Sequence, residues 1–241
     1  VRDDVRQGAL RFAVDGDWVS GPDDGVPHLV DLPRLLRAAE LLERDEGGEV
    51  ELRLLLRAGR SLGGARPKAH VVDGRGRIAI AKFPSPAADE WDVMAWEYVT
   101  LRLAAEAGIR VPRARLEPVD GTHVLLLDRF DRTDTTRIGY VSAMTMLEAT
   151  DGDDGSYLDI ADVIERESAR VDDDLHELWR RIAFSILVSN TDDHLRNHGF
   201  VRDGAAWRLS PAFDLNPDPS GRGALNTAID EVETAADIGV L

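Results

Sequence analysis

Thr191-Asp192-Asp193-His194-Leu195-Arg196-Asn197-His198 is the stretch on which the reading of this chain turns. Asp192 precedes Asn197 by five positions, and a third oxygen donor, Asp214, closes the later run Ser210-Pro211-Ala212-Phe213-Asp214. Immediately before the loop, Leu175, Leu178, Trp179, Ile182, Ala183, Ile186 and Leu187 recur at helical spacing, which predicts a long amphipathic helix ending at Ser189-Asn190. After it, Gly199 to Arg202 and Trp207 to Leu209 read as short strands. A polar loop anchored by a buried helix is a natural place for chemistry, although Asp and Asn are also ordinary turn residues. The neighbouring sequence must decide between the two.

Upstream, strands and turns dominate. Val50 to Leu56 alternates charged and apolar residues up to the Ala58-Gly59 break and is expected to begin a sheet. Ala69 to Val72 and Arg77 to Phe83 are strand-like runs joined by Asp73-Gly74-Arg75-Gly76, a hairpin signature. Pro33 to Leu42, with Asp31 near its start, predicts a short helix, and Asp89 to Ala107, stopped by Gly108, a longer one. Val124 to Leu127 is an apolar strand running into Asp128-Arg129-Phe130-Asp131-Arg132, where strands give way to helices and a boundary is expected. The expected division is 1–127, a β-rich part, and 128–241, a mainly helical part: an α+β chain.

Of the 29 basic residues only two are lysine, Lys68 and Lys82. Where arginine is the default, a retained lysine suggests a compact point charge of the kind that meets phosphate. Strand alternation puts Lys82 on the face of Ile78 and Ile80, where it needs a partner. The following helix places Met94, Glu97, Tyr98, Leu101 and Ala105 along one side, so Glu97 stands on an apolar face and wants a cation. A Lys82–Glu97 ion pair answers both needs. Ser61-Leu62-Gly63-Gly64-Ala65-Arg66-Pro67-Lys68 lies between strands, and its small residues let backbone amides approach an anion, or simply make a turn. Together these are the parts that phosphoryl transfer from a nucleotide requires: a loop over phosphates, a strand lysine, a base (Asp192) and oxygen ligands for magnesium (Asn197 and Asp214). A rival uses Asp192, Asp193, His194, His198 and Asp214 to hold zinc or a metal pair and activate water for hydrolysis. It leaves Lys82 and the glycine loop unexplained. His28, His70, His123 and His176 are scattered and read as surface or structural residues.

Composition narrows the partners. A net charge of −16 argues against a surface built to grip nucleic-acid phosphates or anionic lipid. Without cysteine there are no disulfides and no thiolate metal sites. No apolar run is long enough to span a bilayer and no secretory leader opens the chain, so a soluble cytoplasmic protein is expected.

Gly8-Ala9-Leu10-Arg11-Phe12, Ser61 to Lys68, Lys82, Leu126 to Arg132, Asn190 to Asn197 and Ser210 to Asp214 follow one another in the order of motifs found in a known family. The chain resembles the HipA-like serine/threonine kinases of bacterial toxin–antitoxin modules. The resemblance implies a two-lobed protein-kinase-like fold, with a β-rich N-terminal lobe and a helical C-terminal lobe. It implies ATP and Mg2+ as cofactors, with Gly63, Gly64, Ala65, Arg66, Pro67 and Lys68 over the nucleotide and Lys82 on its phosphates. Asp128, Arg129 and Phe130 would form the hinge that meets adenine, while His194, Leu195, Arg196, Asn197, Phe213 and Asp214 complete the nucleotide and metal site. Ser61 matches a loop serine that family members autophosphorylate, a modification that expels the loop, since an added phosphate lies poorly beside ATP phosphates. The implied substrates are proteins, notably aminoacyl-tRNA synthetases; the implied partner is a HipB-like DNA-binding antitoxin, with DNA met only through it and no membrane. Kinase-fold phosphotransfer to a small molecule and a degraded, binding-only kinase are the other classes. Asp193 stands where a small residue is common, as an added metal ligand or a solvent-facing side chain, and Asp128 replaces the usual glutamate. The family's N-terminal subdomain and further C-terminal helices are expected to lie outside these 241 residues.

Overall fold

The structure, a computed structural model, describes residues 3, 5–19, 25–58, 66–150, 155–220, 223–230 and 233–240. The chain divides into two compact units, residues 1–98 with 113–136 and residues 99–112 with 137–241. The architecture is mixed α and β.

In the first unit, β1 (Ala13–Val14) and β2 (Asp17–Trp18) form a small hairpin. Two helices follow, α1 (Leu32–Glu43) and α2 (Glu49–Arg57), and then a four-stranded antiparallel sheet. Its strands are β3 (Lys68–Val72), β4 (Ile78–Lys82), β5 (Ala114–Val119) and β6 (Thr122–Asp128), in the order β3-β4-β6-β5. The β3–β4 hairpin closes where expected. Asp73 accepts hydrogen bonds from the backbone N–H groups of Arg75 and Arg77 and from the Arg77 guanidinium, and Gly76 supplies the positive φ of 80°. One sheet face carries Ala69, Val71, Ala79, Ala81, Val124 and Leu126 into a core shared with Leu35, Leu36 and Leu55.

Residues 50–56 are helical, not the expected strand. The five-residue alternation ends in Leu54-Leu55-Leu56, and the Gly48 N–H donates to Glu51 Oε2 at 2.9 Å at the helix start. Acidic residues fill the first turn and Arg57 the last, in line with the helix dipole. Leu55 and Ala58 are buried. Burying such a leucine contributes about 1.5–3 kcal/mol, against a few tenths of a kcal/mol for the exposed Glu49–Arg53 pair, so core packing seats this helix.

The long helix α3 (Val93–Glu106) begins later than expected: Asp92 Oδ1 accepts from the Ala95 N–H at 2.9 Å, and Gly108 stops the helix at φ 79°. Its buried face is Met94, Glu97, Leu101 and Ala104; Ala105 is exposed. Heptad-like spacing at 94, 97, 101 and 104 keeps one face aligned, whereas 105 has rotated off it.

The second unit holds β7 (Tyr140–Ser142), α4 (Ala143–Met146), α5 (Tyr157–Glu167), α6 (Val171–Leu187), β8 (Gly199–Asp203) and β9 (Ala206–Leu209). Its sheet runs β7-β8-β9. Tyr157, Ile160, Ile164, Leu178, Ile182, Phe200 and Leu209 form its core. Among the described residues no helix is long and apolar enough to cross a membrane.

The first turns of α6 carry charge inward. Asp174 is fully buried and accepts from Ser168 Oγ at 2.7 Å, the Leu209 N–H at 2.9 Å, Arg110 Nη2 at 2.9 Å and Arg208 Nη2 at 3.1 Å. One turn on, Glu177 binds Arg181, whose Nη2 donates to the Ser210 carbonyl at 2.6 Å. Burial by itself would raise the Asp174 pKa, but the Leu209 N–H, Arg208 and Ser168 hold it below the ordinary 3.8. A carboxyl with a depressed folded-state pKa stabilises the fold above its unfolded pKa, and that contribution disappears as pH falls through the folded value. Asp174→Asn is therefore expected to cost about 1.5–3 kcal/mol in a urea titration at pH 7. The gap from wild type should narrow below pH 3.8 as the native carboxyl also protonates. An equal deficit at every pH would show that the charge is not what matters.

Candidate functional site

In the first unit the chain's two lysines are cross-strand partners: Lys68 on β3 stands directly opposite Lys82 on β4. Directly opposed residues share a sheet face, and like charges so placed are unfavourable without an anion. Lys82 is 5% exposed and its Nζ lies 2.5 Å from Oε1 of the fully buried Glu97. The pair lies away from the alanine-lined core face, as the alternation of β4 dictates. Glu97 offsets the charge of Lys82 within this buried pair.

The adjoining anchor is built from side chains. Arg66 pairs with Asp89, and Asp89 Oδ2 also accepts the Ser85 N–H at 2.8 Å. Ser85 Oγ donates to Glu43 of α1. The Pro67 carbonyl accepts the Phe83 N–H at 3.0 Å. These contacts pin the point at which the glycine-rich run enters β3. Ser61, Gly63, Gly64 and Ala65 lie outside the described residues.

At the end of β6, the Asp128 N–H donates to the Arg113 carbonyl and its carboxylate lies 3.5 Å from Arg115. The buried Arg129 binds both oxygens of Asp131, the carbonyls of Val5 and Arg6, and His70 Nε2. Its side chain is thus a structural clasp. Asp131 Oδ2 accepts the N–H of Gly8, whose φ of 65° favours glycine. Arg132 returns to the Gly8 carbonyl. The Gly8 and Asp128–Arg132 runs, more than a hundred residues apart, are one assembly.

In the second unit, α6 ends at Leu187, and just beyond it Ser189 takes the left-handed conformation (φ 56°), while the Asn190 N–H reaches back to the Ser185 carbonyl. The loop then holds Asp192 exposed and Asp193 buried. Asp193 Oδ2 accepts from Tyr157 Oη at 2.7 Å and His198 Nε2 at 2.9 Å. Burial would raise the Asp193 pKa, but the His198 ring and the Tyr157 hydroxyl bring it below the ordinary carboxylate value. Burial, with the neighbouring carboxylate, drives the Tyr157 phenol well upward, so it remains the donor. Asp193 is therefore not a solvent-facing residue. It is an internal peg that fixes the loop to α5.

Asn197 is 8% exposed; its N–H donates to the His194 carbonyl at 2.7 Å and its Nδ2 to the Asp192 carbonyl at 3.4 Å. With the nitrogen end engaged, the amide oxygen is the end available to a cation. Asp214 sits at φ 61°, an uncommon conformation that Asp tolerates, and its Oδ1 accepts from Asn216 Nδ2 at 3.1 Å. The Asn216 N–H in turn donates to Asn190 Oδ1 at 3.2 Å, tying the Asp214 run to the loop after α6. The run is also held upstream, by Arg181 at Ser210 and by the Ala212 N–H on the Arg110 carbonyl. Amide and carboxylate oxygens suit magnesium, which keeps several waters and needs few protein ligands. No cluster of three or more His, Asp or Glu fit for a metal exists among the described residues. His198 Nε2 is committed to Asp193, which takes one of the nitrogens that the hydrolytic metal reading counted on. Leu195 belongs to the core, and Arg196 is exposed.

Residues 60–238 match the HipA-like C-terminal domain. This chain belongs to the HipA-like family. Two relatives from Sinorhizobium fredii, Y4dM and Y4mE, carry provisional kinase names. Y4dM is 28% identical over 159 residues, 59% of this chain and 38% of its own length. Y4mE is 26% identical over 149 residues, 56% of this chain and 33% of its own. The HipA-like chain thus spans about a third of the length of these relatives. Among solved structures, it superposes on HipA of Shewanella oneidensis, determined with HipB and operator DNA, at a TM-score of 0.61 and 18% identity, covering 73% of this chain and 48% of that one. The Helicobacter pylori proinflammatory kinase CtkA matches at 0.57 and 16% identity, covering 70% and 69%. The fold is therefore that of kinase-like neighbours.

Two features of this HipA-like site escaped the sequence reading. Tyr157 is 36 residues from Asp193, and Asn226, whose Nδ2 lies 2.7 Å from Asp192 Oδ1, is 34 residues from it. Neither position carries a local pattern that announces its partner.

Proposed function

We propose that this HipA-like chain is the catalytic part of an ATP-dependent serine/threonine kinase. The observation that carries the reading is the buried Lys82–Glu97 pair with Lys68 directly opposite on the next strand. A strand lysine held by a helix glutamate is how kinases present a cation to nucleotide phosphates. In this reading the units act as the two lobes of a protein-kinase-like fold, with 1–127 supplying the phosphate loop and lysine and 128–241 the catalytic loop.

Lys82 and Lys68 contact phosphate oxygens beneath the Gly63–Lys68 run, and the backbone of Asp128 to Phe130 meets adenine. Asn197 and Asp214 hold magnesium, which supplies charge neutralisation on the phosphates when bound. Asp192 orients the acceptor hydroxyl and takes its proton as the oxygen–phosphorus bond forms and the bond to ADP breaks. Ser61 is the proposed site of autophosphorylation. The HipA of the Shewanella structure is bound to HipB and operator DNA, which supports a HipB-like antitoxin as partner, with DNA reached through it. The proposed substrate is a cytoplasmic protein, an aminoacyl-tRNA synthetase being the class that the resemblance suggests.

Incubation with γ-labelled ATP and Mg2+, followed by mass spectrometry, tests the reading. Label on a Ser or Thr of this chain or of an added cell extract is expected, with Ser61 first among the sites. Label only in a small metabolite would make the protein a small-molecule phosphotransferase, and no transfer at all would overturn the kinase reading.

A further inference from the structure

The segment 223–230 lies against the loop that carries Asp192. The Asn226 N–H donates to the Thr191 carbonyl at 3.0 Å, Thr227 Oγ1 to the Asp193 carbonyl at 2.8 Å, and the Tyr157 N–H to the Ala228 carbonyl at 2.8 Å. Three consecutive residues are thereby registered against the catalytic loop and the start of α5. The segment is also backed by 233–236: the Leu225 N–H donates to the Thr234 carbonyl, the Ile229 N–H to the Glu233 carbonyl, and the Ala236 N–H to the Gly223 carbonyl. Leu225 and Thr227 are buried on either side of an exposed Asn226. This strand-like alternation turns the Asn226 side chain away from its neighbours. It meets the carboxylate of Asp192, with Nδ2 at 2.7 Å from Oδ1. Among the described residues that carboxylate takes no other hydrogen bond.

We propose that Asn226 is a positioning residue for phosphoryl transfer: its amide holds one oxygen of Asp192 so that the other faces the acceptor hydroxyl. The inference rests on the kinase reading. An exposed aspartate turns freely about its terminal bond, and a general base works only when aimed. An amide donor fixes it without adding a second charge. The contacts of residues 226–228 supply the rigidity that such a donor needs, because a donor on a mobile segment would aim nothing.

Asn226→Leu removes the donor at similar volume, and Asn226→Gln keeps an amide. In the purified protein, Asn226→Leu is expected to lower kcat for γ-phosphoryl transfer by about 10- to 100-fold, with KM for ATP within about twofold and a melting temperature near that of wild type. Asn226→Gln should recover part of kcat. Should the leucine variant not fold, Asn226→Ser, polar and too short to reach, carries the same expectation. A leucine or serine variant within twofold of wild-type kcat, a loss confined to KM, or a glutamine variant no better than leucine overturns the positioning role while wild-type activity leaves the kinase reading standing. Wild-type protein that transfers no phosphate overturns both.

Discussion

Asp192→Asn is expected to reduce phosphoryl transfer by about 10²- to 10⁴-fold, the usual contribution of a general base, while nucleotide affinity stays within about twofold. The substitution is nearly isosteric, and it leaves intact the Asp192 carbonyl to which Asn197 donates. What it removes is a carboxylate able to accept the hydroxyl proton. Asp192 suits this role because it is exposed while its neighbours are not: Thr191 and Asp193 are buried, and each is tied through its carbonyl to the 226–227 segment. The loop thus fixes its flanking residues and leaves one carboxylate exposed between them. Single-turnover transfer from labelled ATP, measured beside titration with a fluorescent nucleotide, separates the two effects. Wild-type transfer by the Asn variant would remove Asp192 from the mechanism. A parallel collapse of nucleotide affinity would show that the residue serves binding instead.

What could be read from the chain beforehand was local or periodic. The β3–β4 hairpin was legible because its turn has only a few conformations open to Asp-Gly-Arg-Gly, and α6 because seven apolar residues keep one helical phase. The Lys82–Glu97 pair was legible for a related reason. Strand and helix periodicity each put a charge on an apolar face, and two such misplacements of opposite sign explain one another. Residues 50–56 were misread since a period-2 pattern over five residues competes with capping and leucine content, and tertiary burial of Leu55 favours the helix. Asp193 was misjudged because burial is a property of what packs over a residue, here Tyr157 and His198. Asn226 was invisible for the same reason: an asparagine in an unpatterned run acquires its meaning only from the carboxylate the fold brings to it.

The lysine–glutamate pair allows structure and chemistry to be separated in one set of variants. Lys82→Met leaves the fully buried Glu97 without its lysine and is expected to destabilise the protein by about 3–5 kcal/mol. Glu97→Leu should do the same from the other side, taking the paired carboxylate from a cation that is 5% exposed. Either variant alone would be inactive, yet neither would say why, since an unfolded protein also transfers nothing. The double variant Lys82→Met/Glu97→Leu resolves this. Replacing both partners of a buried ion pair by apolar groups of similar volume is often neutral or stabilising, because neither charge then has to be desolvated. The double variant is therefore expected to regain most of the lost stability in thermal melts. It should nevertheless show no phosphoryl transfer and weakened nucleotide binding, because the cation for the phosphates is gone. If it regained activity along with stability, the pair would be a packing device only, and the anion-binding role of this sheet face would fall with it. If stability stayed low, the surrounding polar contacts would need both charges, and the pair would belong to a larger network than the 2.5 Å contact alone.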